Sequence, residues 1–351
     1  MLWCAVCAIA SLMVRELGIG RVKKYPFTVL VLVLSLASFP LAGVVKVGRP
    51  FERRVMAHVI PLVIHEKSAA ILQSGCPFFP PTNVWNRRIQ DLPVDARSQT
   101  YVAEMGPGDK LHADFGGGGG YRYAVTDGTE SNNDISFDGS EVDPGPYRIP
   151  DNAPIEEGSD GHVLVFDKGN CLLYELFAAS HSGPGQWHAS SGSIFDLRSN
   201  KLRPDGWTSA DAAGTAILPG LARYDEVAAG HIGHALRFTT RHTRRGYVWP
   251  ARHYASSSND PNLPPMGERF RLKASVDIRG FSPQTRVLLT ALKEYGMFLS
   301  DNGGNWYVSG ARDSRWDGRI PGEFASLHGS DFEAVDESSL MIGPDSAEAR
   351  Q

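Results

Sequence analysis

Apolar and polar positions are patterned most clearly in the middle of the chain. His162-Val-Leu-Val-Phe166 and Cys171-Leu-Leu-Tyr-Glu-Leu-Phe177 are short apolar runs on either side of Asp167-Lys-Gly-Asn170. They predict a β-hairpin whose turn glycine is free to take positive φ. Further short strands are expected over 192–197, 235–240, 246–249 and 270–278. In the last of these, Arg269, Arg271 and Lys273 alternate with Phe270, Leu272 and Ala274, the pattern of a strand with one wet face. Helical periodicity is strongest after Ser282, where Pro283 suits a first helical position and Val287, Leu288, Ala291, Leu292 and Tyr295 share one face before Gly296. A shorter helix is expected over 94–104, and a second hairpin from Met297-Phe-Leu299 through Asp301-Asn-Gly-Gly to Asn305-Trp-Tyr-Val308.

Between these elements the chain is turn-rich. Pro77, Pro80 and Pro81 force an extended start, and residues 111–160, with glycine at every position from 116 to 120, read as loops with short strands. The glycine run lacks a following Gly-Lys-Ser/Thr, so it reads as a flexible surface loop and not a phosphate cradle. No internal repeat and no Pro/Ser-rich linker divides the pattern. These features predict a mainly β protein, a single β-sandwich or jelly-roll-like domain over 76–340 with a few peripheral helices, followed by a disordered tail at 341–351.

The N-terminus changes the picture of where this domain works. Arg21, Lys23 and Lys24 precede an apolar run from Phe27 to Val45, the n-region and h-region of a secretory signal, with an uncleaved membrane anchor as the rival reading. Residues 1–45 are therefore set aside as signal or anchor, and 46–75 as a linker with a short helix over 54–73. Past this leader only Cys76 and Cys171 remain, and outside the cytosol such a pair is expected as a disulfide; two buried free thiols are the alternative. The expected location is secreted or periplasmic. A net charge of −4 over 351 residues argues against a nucleic-acid or anionic-membrane partner. A protein of this kind is expected to act as a monomer on a polysaccharide or other extracellular glycan.

No nucleophile elbow, zincin motif, Walker sequence or dinucleotide fingerprint is present, and no Cys/His spacing for zinc follows the leader. Asp211, Asp225 and Glu226 are carboxylates close in sequence beside turns and Trp207. A glycosidase needs such groups, one held protonated and one ionised. The plainer reading makes Asp211 a helix cap and leaves Asp225 and Glu226 in solvent. His234 and His253 are supporting acid/base candidates, as is Asp301. Arg252 and Tyr254 would suit a uronic-acid polymer, while Trp207, Trp249 and Trp306 offer indole faces for sugar rings unless they fill the core. His112, Asp114, Asp134, Asp138, Glu141 and Asp143 are hard or borderline donors for calcium, although their spacing fits no EF-hand loop. Apart from that calcium, no cofactor is expected.

The motifs CPFFPPTNVWN, GHVLVFDKGNCLLYEL, GWTSADAAG, RYDEV, GYVWPARHYAS and YGMFLSDNG resemble a family of exported bacterial hypothetical proteins with no established activity, a likeness covering about residues 76 to 336. The resemblance implies export, one continuous domain and both remaining cysteines inside recurring motifs. The expected function is a secreted carbohydrate-active enzyme, a glycoside hydrolase with Asp211, Asp225 and Glu226 as its carboxylates. The alternatives are a non-catalytic glycan- or cell-wall-binding sandwich, and a polysaccharide lyase with His253 or Tyr254 as base.

Overall fold

A computed structural model of the protein describes residues 75–351. The expected leader, nearly all of the linker with its helix, Cys4 and Cys7 lie outside the described residues. Thirteen strands form, β1 (His112–Asp114), β2 (Ala124–Thr126), β3 (Asp134–Phe137), β4 (Val163–Asp167), β5 (Leu172–Phe177), β6 (Ser180–Gly183), β7 (Gln186–Ala189), β8 (Ser191–Asp196), β9 (Leu236–Thr240), β10 (Arg269–Leu272), β11 (Met297–Asn302), β12 (Tyr307–Ser309) and β13 (Phe332–Ala334). Four α-helices accompany them, α1 (Ser98–Glu104), α2 (Tyr224–Ala228), α3 (Pro283–Glu294) and α4 (Ile320–Phe324).

The strands make three open sheets with orders β1-β12-β9-β11-β10-β13, β2-β4-β5-β8 and β3-β7-β6. Side-chain alternation along each strand assigns the layers. On β4 and β5, Val163, Val165, Tyr174 and Leu176 join Trp187 and Ala189 of the small sheet. Leu164, Phe166 and Leu173 join Trp85, Leu218 and Phe298 on the large-sheet side. Both faces are thus covered, which is why these strands read as unbroken apolar runs rather than alternating ones. The opposite face of the large sheet, with Phe238, Phe270, Leu272, Met297 and Leu299, packs against Leu288, Leu289, Ala291 and Leu292 of α3. The mainly β sandwich with few helices is as the pattern predicts.

The hairpin β4–β5 and helix α3 lie where the sequence places them, and Gly296 follows the helix with φ 67°. A Cβ there would come within 2.3 Å of the Phe270 carbonyl oxygen, so only glycine lets the chain turn directly into β11. Three expectations are corrected. Residues 246–249 form only a single bridge, Tyr247 to Met266, not a strand. The expected hairpin between 297–299 and 305–308 does not form, because β9 inserts between β11 and β12, pairing parallel with the first and antiparallel with the second. And β10 has no wet face.

Arg269 and Arg271 on β10 are buried, and their guanidinium groups donate to backbone carbonyls that no ladder satisfies. Arg269 reaches the oxygens of Val84, Arg87 and Tyr295, and Arg271 those of Ile89, Gln90 and Leu92. Glu337 and Glu333 pair with the same two arginines. Amphipathic alternation here marks a sheet face sealed by irregular chain, whose carbonyls take the place of water.

The tail is corrected as well. Residues 341–351 are docked: the Val84 N–H donates to the Ala347 carbonyl, the Ala349 N–H to that of Thr82, and Ala347 and Ala349 are buried. Cys76 and Cys171 are joined in a disulfide that spans 95 residues and ties the extended proline-rich start to β5. Among the described residues no helix is long and apolar enough to cross a membrane.

Removing the disulfide releases a large loop into the unfolded ensemble. We expect Cys76→Ser with Cys171→Ser to lose about 4 to 5 kcal/mol of unfolding free energy in the chain-entropy model. Equilibrium urea unfolding checks this, and a loss below about 1 kcal/mol would count against the bridge as the clamp on this segment.

Candidate functional site

Three neighbouring strands of the large sheet align polar side chains on its inner face. Asp114 on β1 sits in register with Ser309 on β12, and the Ser309 hydroxyl accepts from Nη1 of Arg237 on β9 at 2.8 Å. Arg237 points away from the α3 side, where its neighbours Leu236 and Phe238 are buried. Its guanidinium forks onto Asp211, Nη2 to Oδ1 at 2.8 Å and Nε to Oδ2 at 3.3 Å. The two side chains are 1% and 0% exposed. Burial alone would lower the pKa of Arg237, but the Asp211 charge outweighs it and holds the pKa well above the ordinary value.

Tyr121 carries this buried centre to the surface. Its N–H donates to the Gly310 carbonyl, and its carbonyl accepts from Arg312 N–H, so residues 120–122 lie against 310–312. That approach requires Gly120, with φ +106° and only 2.8 Å between a built Cβ and the Gly310 oxygen. The Tyr121 hydroxyl accepts from Arg237 Nη1 at 3.0 Å. Burial raises its pKa, with Arg237 opposing.

Above Tyr121 opens a cavity of about 210 Å³, lined by Asp114, Gly118, Gly119, Gly120, Tyr121, Arg122, Glu156, Glu157 and Arg312. The glycine run, expected to be a flexible surface loop, is therefore one wall of a pocket. Glu156 is half-buried and contacts Nδ1 of His162 through Oε2. The other ring nitrogen, Nε2, lies 3.1 Å from the Ala210 carbonyl, which can only accept. Nε2 therefore carries a hydrogen, and Nδ1 is the nitrogen that faces the carboxylate. Burial of His162 works against its charged form, but the hydrogen bond and charge of Glu156 prevail and its pKa is raised. Asp114 is raised too, by loss of water around its carboxyl and by the Glu156 charge, with Arg237 opposing. Behind the cavity, burial and the Asp211 charge lift Asp301 to about 6, against the pull of Arg237.

Of the sequence candidates, Asp211, Asp301 and Asp114, the last expected as a calcium donor, belong to this centre. Asp225 pairs with Arg315 at 3.1 Å. Glu226 takes Arg223 at 2.6 Å and His234 at 3.2 Å. Although burial alone would raise Glu226, the Arg223 charge and the contact with His234 bring it down to about 2. His234 is further fixed by the Ala235 carbonyl at 2.8 Å. These groups are tied up in structural bonds and do not share a cleft, so the expected carboxylate set is corrected.

His253, Tyr254, Arg252, Trp207 and Trp249 gather elsewhere. His253 meets the Ala212 carbonyl through Nδ1 and stacks on Tyr254, ring centres 5.2 Å apart. Arg252 is buried and holds the tail, through the Pro344 carbonyl and Asp345. The Trp249 N–H donates to Ser346, and Trp207 lies under the Arg203 guanidinium. Trp306 is corrected outright: it is 0% exposed, packed among Phe238, Phe270 and Phe332. The calcium candidates are also dispersed. Asp143 pairs with Arg203, Glu141 accepts from Thr208 N–H, Asp138 from Ser190, and among the described residues no group of three donors could hold a metal ion.

Sequence reasoning missed Tyr121, Arg122, Glu156, His162, Arg237 and Arg312. The usable signals were polar residues beside or within apolar stretches, His162 just before Val-Leu-Val and Arg237 between Leu236 and Phe238. No protein-family model, curated protein or solved structure matches the chain.

Breaking the buried pair strands a charge. Arg237→Met is expected to cost about 3 to 5 kcal/mol in urea unfolding, and Asp211→Leu with Arg237→Met to recover most of it. Asp301 offers a second check. Its folded pKa of about 6 exceeds the ordinary 3.8, so the folded state binds the extra proton between these values. Stability attributable to Asp301 therefore falls as pH rises through that window. Asp301→Asn should flatten this slope in a pH series of thermal melts; an unchanged slope would exclude Asp301 as its source.

Proposed function

We propose that the chain is an exported carbohydrate-active enzyme, a glycoside hydrolase that cleaves an extracellular polysaccharide with Asp114 as acid and Glu156 as carboxylate. The observation that carries this reading is one cavity lined by two carboxyl groups in opposed surroundings. Asp114 is raised, which favours its protonated form, while Glu156 faces the His162 ring, whose pKa it raises. Glycoside hydrolysis requires that division of labour. Asp114 gives its proton to the glycosidic oxygen as the bond breaks. Glu156 supplies the electron pair needed at the anomeric carbon, directly or through a water. His162 is a positioning residue that holds the Glu156 carboxylate by one oxygen and leaves the other for the sugar.

A lyase needs a base to take the proton beside a uronate carboxyl. Tyr121, the hydroxyl in this cavity, is raised by burial more than Arg237 lowers it, so it keeps its proton and makes a poor base. A binding module would use an open aromatic platform, whereas this cavity is lined by charged groups, glycine and a single tyrosine. The disulfide fits an oxidising compartment. With the basic and apolar leader it supports a secreted or periplasmic location, and the resemblance to exported bacterial proteins agrees with it.

A polysaccharide panel assayed for new reducing ends tests the proposal. Asp114→Asn and Glu156→Gln are each expected to lower kcat by about 10² to 10⁴, with folding intact by circular dichroism. His162→Gln should shift the acidic limb of the pH profile more than it changes KM. Unsaturated-product absorbance without reducing ends from hydrolysis would replace the hydrolase by a lyase. Retention on insoluble glycan with no cleavage of any polymer would leave a binding protein.

A further inference from the structure

The cavity rim carries two arginines aimed at one atom. Arg122 Nη2 lies 2.5 Å from Glu157 Oε1, and Arg312 Nη1 lies 3.8 Å from that same oxygen. The arginine side chains are 35% and 38% exposed, whereas Glu157 is 76% exposed. The backbone behind them is fixed, since Arg312 N–H donates to the Tyr121 carbonyl and Ala311 N–H to that of Ala222. Gly117 and Gly118 opposite have nothing within 4 Å of a built Cβ, so no side chain crowds the rim there. We propose that Arg122 and Arg312 are the subsite for a substrate carboxylate, making the substrate a uronic-acid polysaccharide, with Glu157 as the internal carboxylate that the substrate displaces. This rests on the hydrolase reading for the reaction but not for the binding.

Three arguments support it. Two guanidinium groups converging on one carboxylate oxygen form a recognition geometry for planar carboxylates, which lysine would not reproduce. The present pairing is solvent-exposed and therefore weak, which makes exchange for a substrate carboxylate easy. The lining also selects among anions. Asp114, Glu156 and Glu157 stand against Arg122 and Arg312, so the pocket holds more acidic than basic groups. A singly charged uronate exchanges one carboxylate for another when it displaces Glu157, whereas a doubly charged phosphate or sulfate adds a charge near Glu156. Arg252, the arginine first suggested for uronate binding, is committed to the tail.

Calorimetric titration of the protein with trimers of galacturonate, glucuronate, mannuronate and guluronate, with neutral galactose and glucose trimers, and with inorganic sulfate tests the inference. At least one uronate is expected to bind, with its affinity lowered about tenfold or more by Arg122→Met and by Arg312→Met. Glu157→Gln is expected to tighten it about three- to tenfold by removing the competitor. Binding of neutral trimers as tight as that of the uronates, uronate binding indifferent to both arginine variants, binding of none of the uronates, or sulfate competing on equal terms would each overturn it. Loss of the hydrolase reading has a different signature: arginine-dependent uronate binding with no cleavage. Cleavage of a neutral polymer, unaffected by Arg312→Met, sinks the substrate class and leaves the hydrolase standing.

Discussion

The fold depends on one buried ion pair, Arg237 with Asp211, set between the large sheet and the β4–β5 hairpin. A guanidinium in the middle of a sheet face is costly unless its donors are used. Here the Asp211 carboxylate, the Ser309 hydroxyl and the Tyr121 hydroxyl take four of the five. The pair also dictates the path of the chain around it. Thr215 donates to Asp211 Oδ2, so the irregular segment after residue 208 is pinned under the sheet. A Cβ at Gly220 would lie 3.3 Å from that of Arg237, which sets how closely this segment can approach.

The same pair organises the cavity. By binding Tyr121 from beneath, Arg237 places the residues that follow the glycine run, and Tyr121 in turn carries the main-chain contact to Arg312. His162 enters from the other sheet, its ring 5.4 Å from that of Tyr121. Asp114 comes from the strand beside Ser309. The cavity is thus assembled from the large sheet, the central hairpin and a glycine loop, and only the buried charge is common to all three. Low local polarity spreads its influence: Asp114, Tyr121, His162 and Asp301 all feel Arg237.

Much of the fold was legible because it is local. The β4–β5 hairpin is set by its turn, and α3 by Ser282, Pro283 and its apolar face. What was not legible is non-local. Nothing in 297–308 reveals that β9 will insert between β11 and β12. Likewise, alternation at Arg269 and Arg271 looks the same whether water or the carbonyls of residues 84–92 lie opposite. The tail is a similar case, for its polar composition hides two buried alanines and backbone pairing with residues near the start of the domain. Site reading failed for a related reason. Closely spaced carboxylates such as Asp225 and Glu226 attract cations and become structural, while Asp114 and Glu156 are 42 positions apart in sequence and meet only through the sheet.

That contrast explains which acidic residues are left free to do chemistry. Glu226 has Arg223 and His234 within 3.2 Å and is held at about 2, too acidic to return a proton near neutrality. Asp211 is enclosed with no path for a sugar. Asp114 reaches solvent, has no ion-pair partner among the described residues and lies beside a second carboxyl, which together favour keeping its proton. The large buried pair absorbs the positive charge of Arg237, and so it leaves Asp114 the weaker, opposing share of that field. A sheet that satisfied Arg237 less completely would leave more of its charge to act on Asp114 and draw that carboxyl's pKa down.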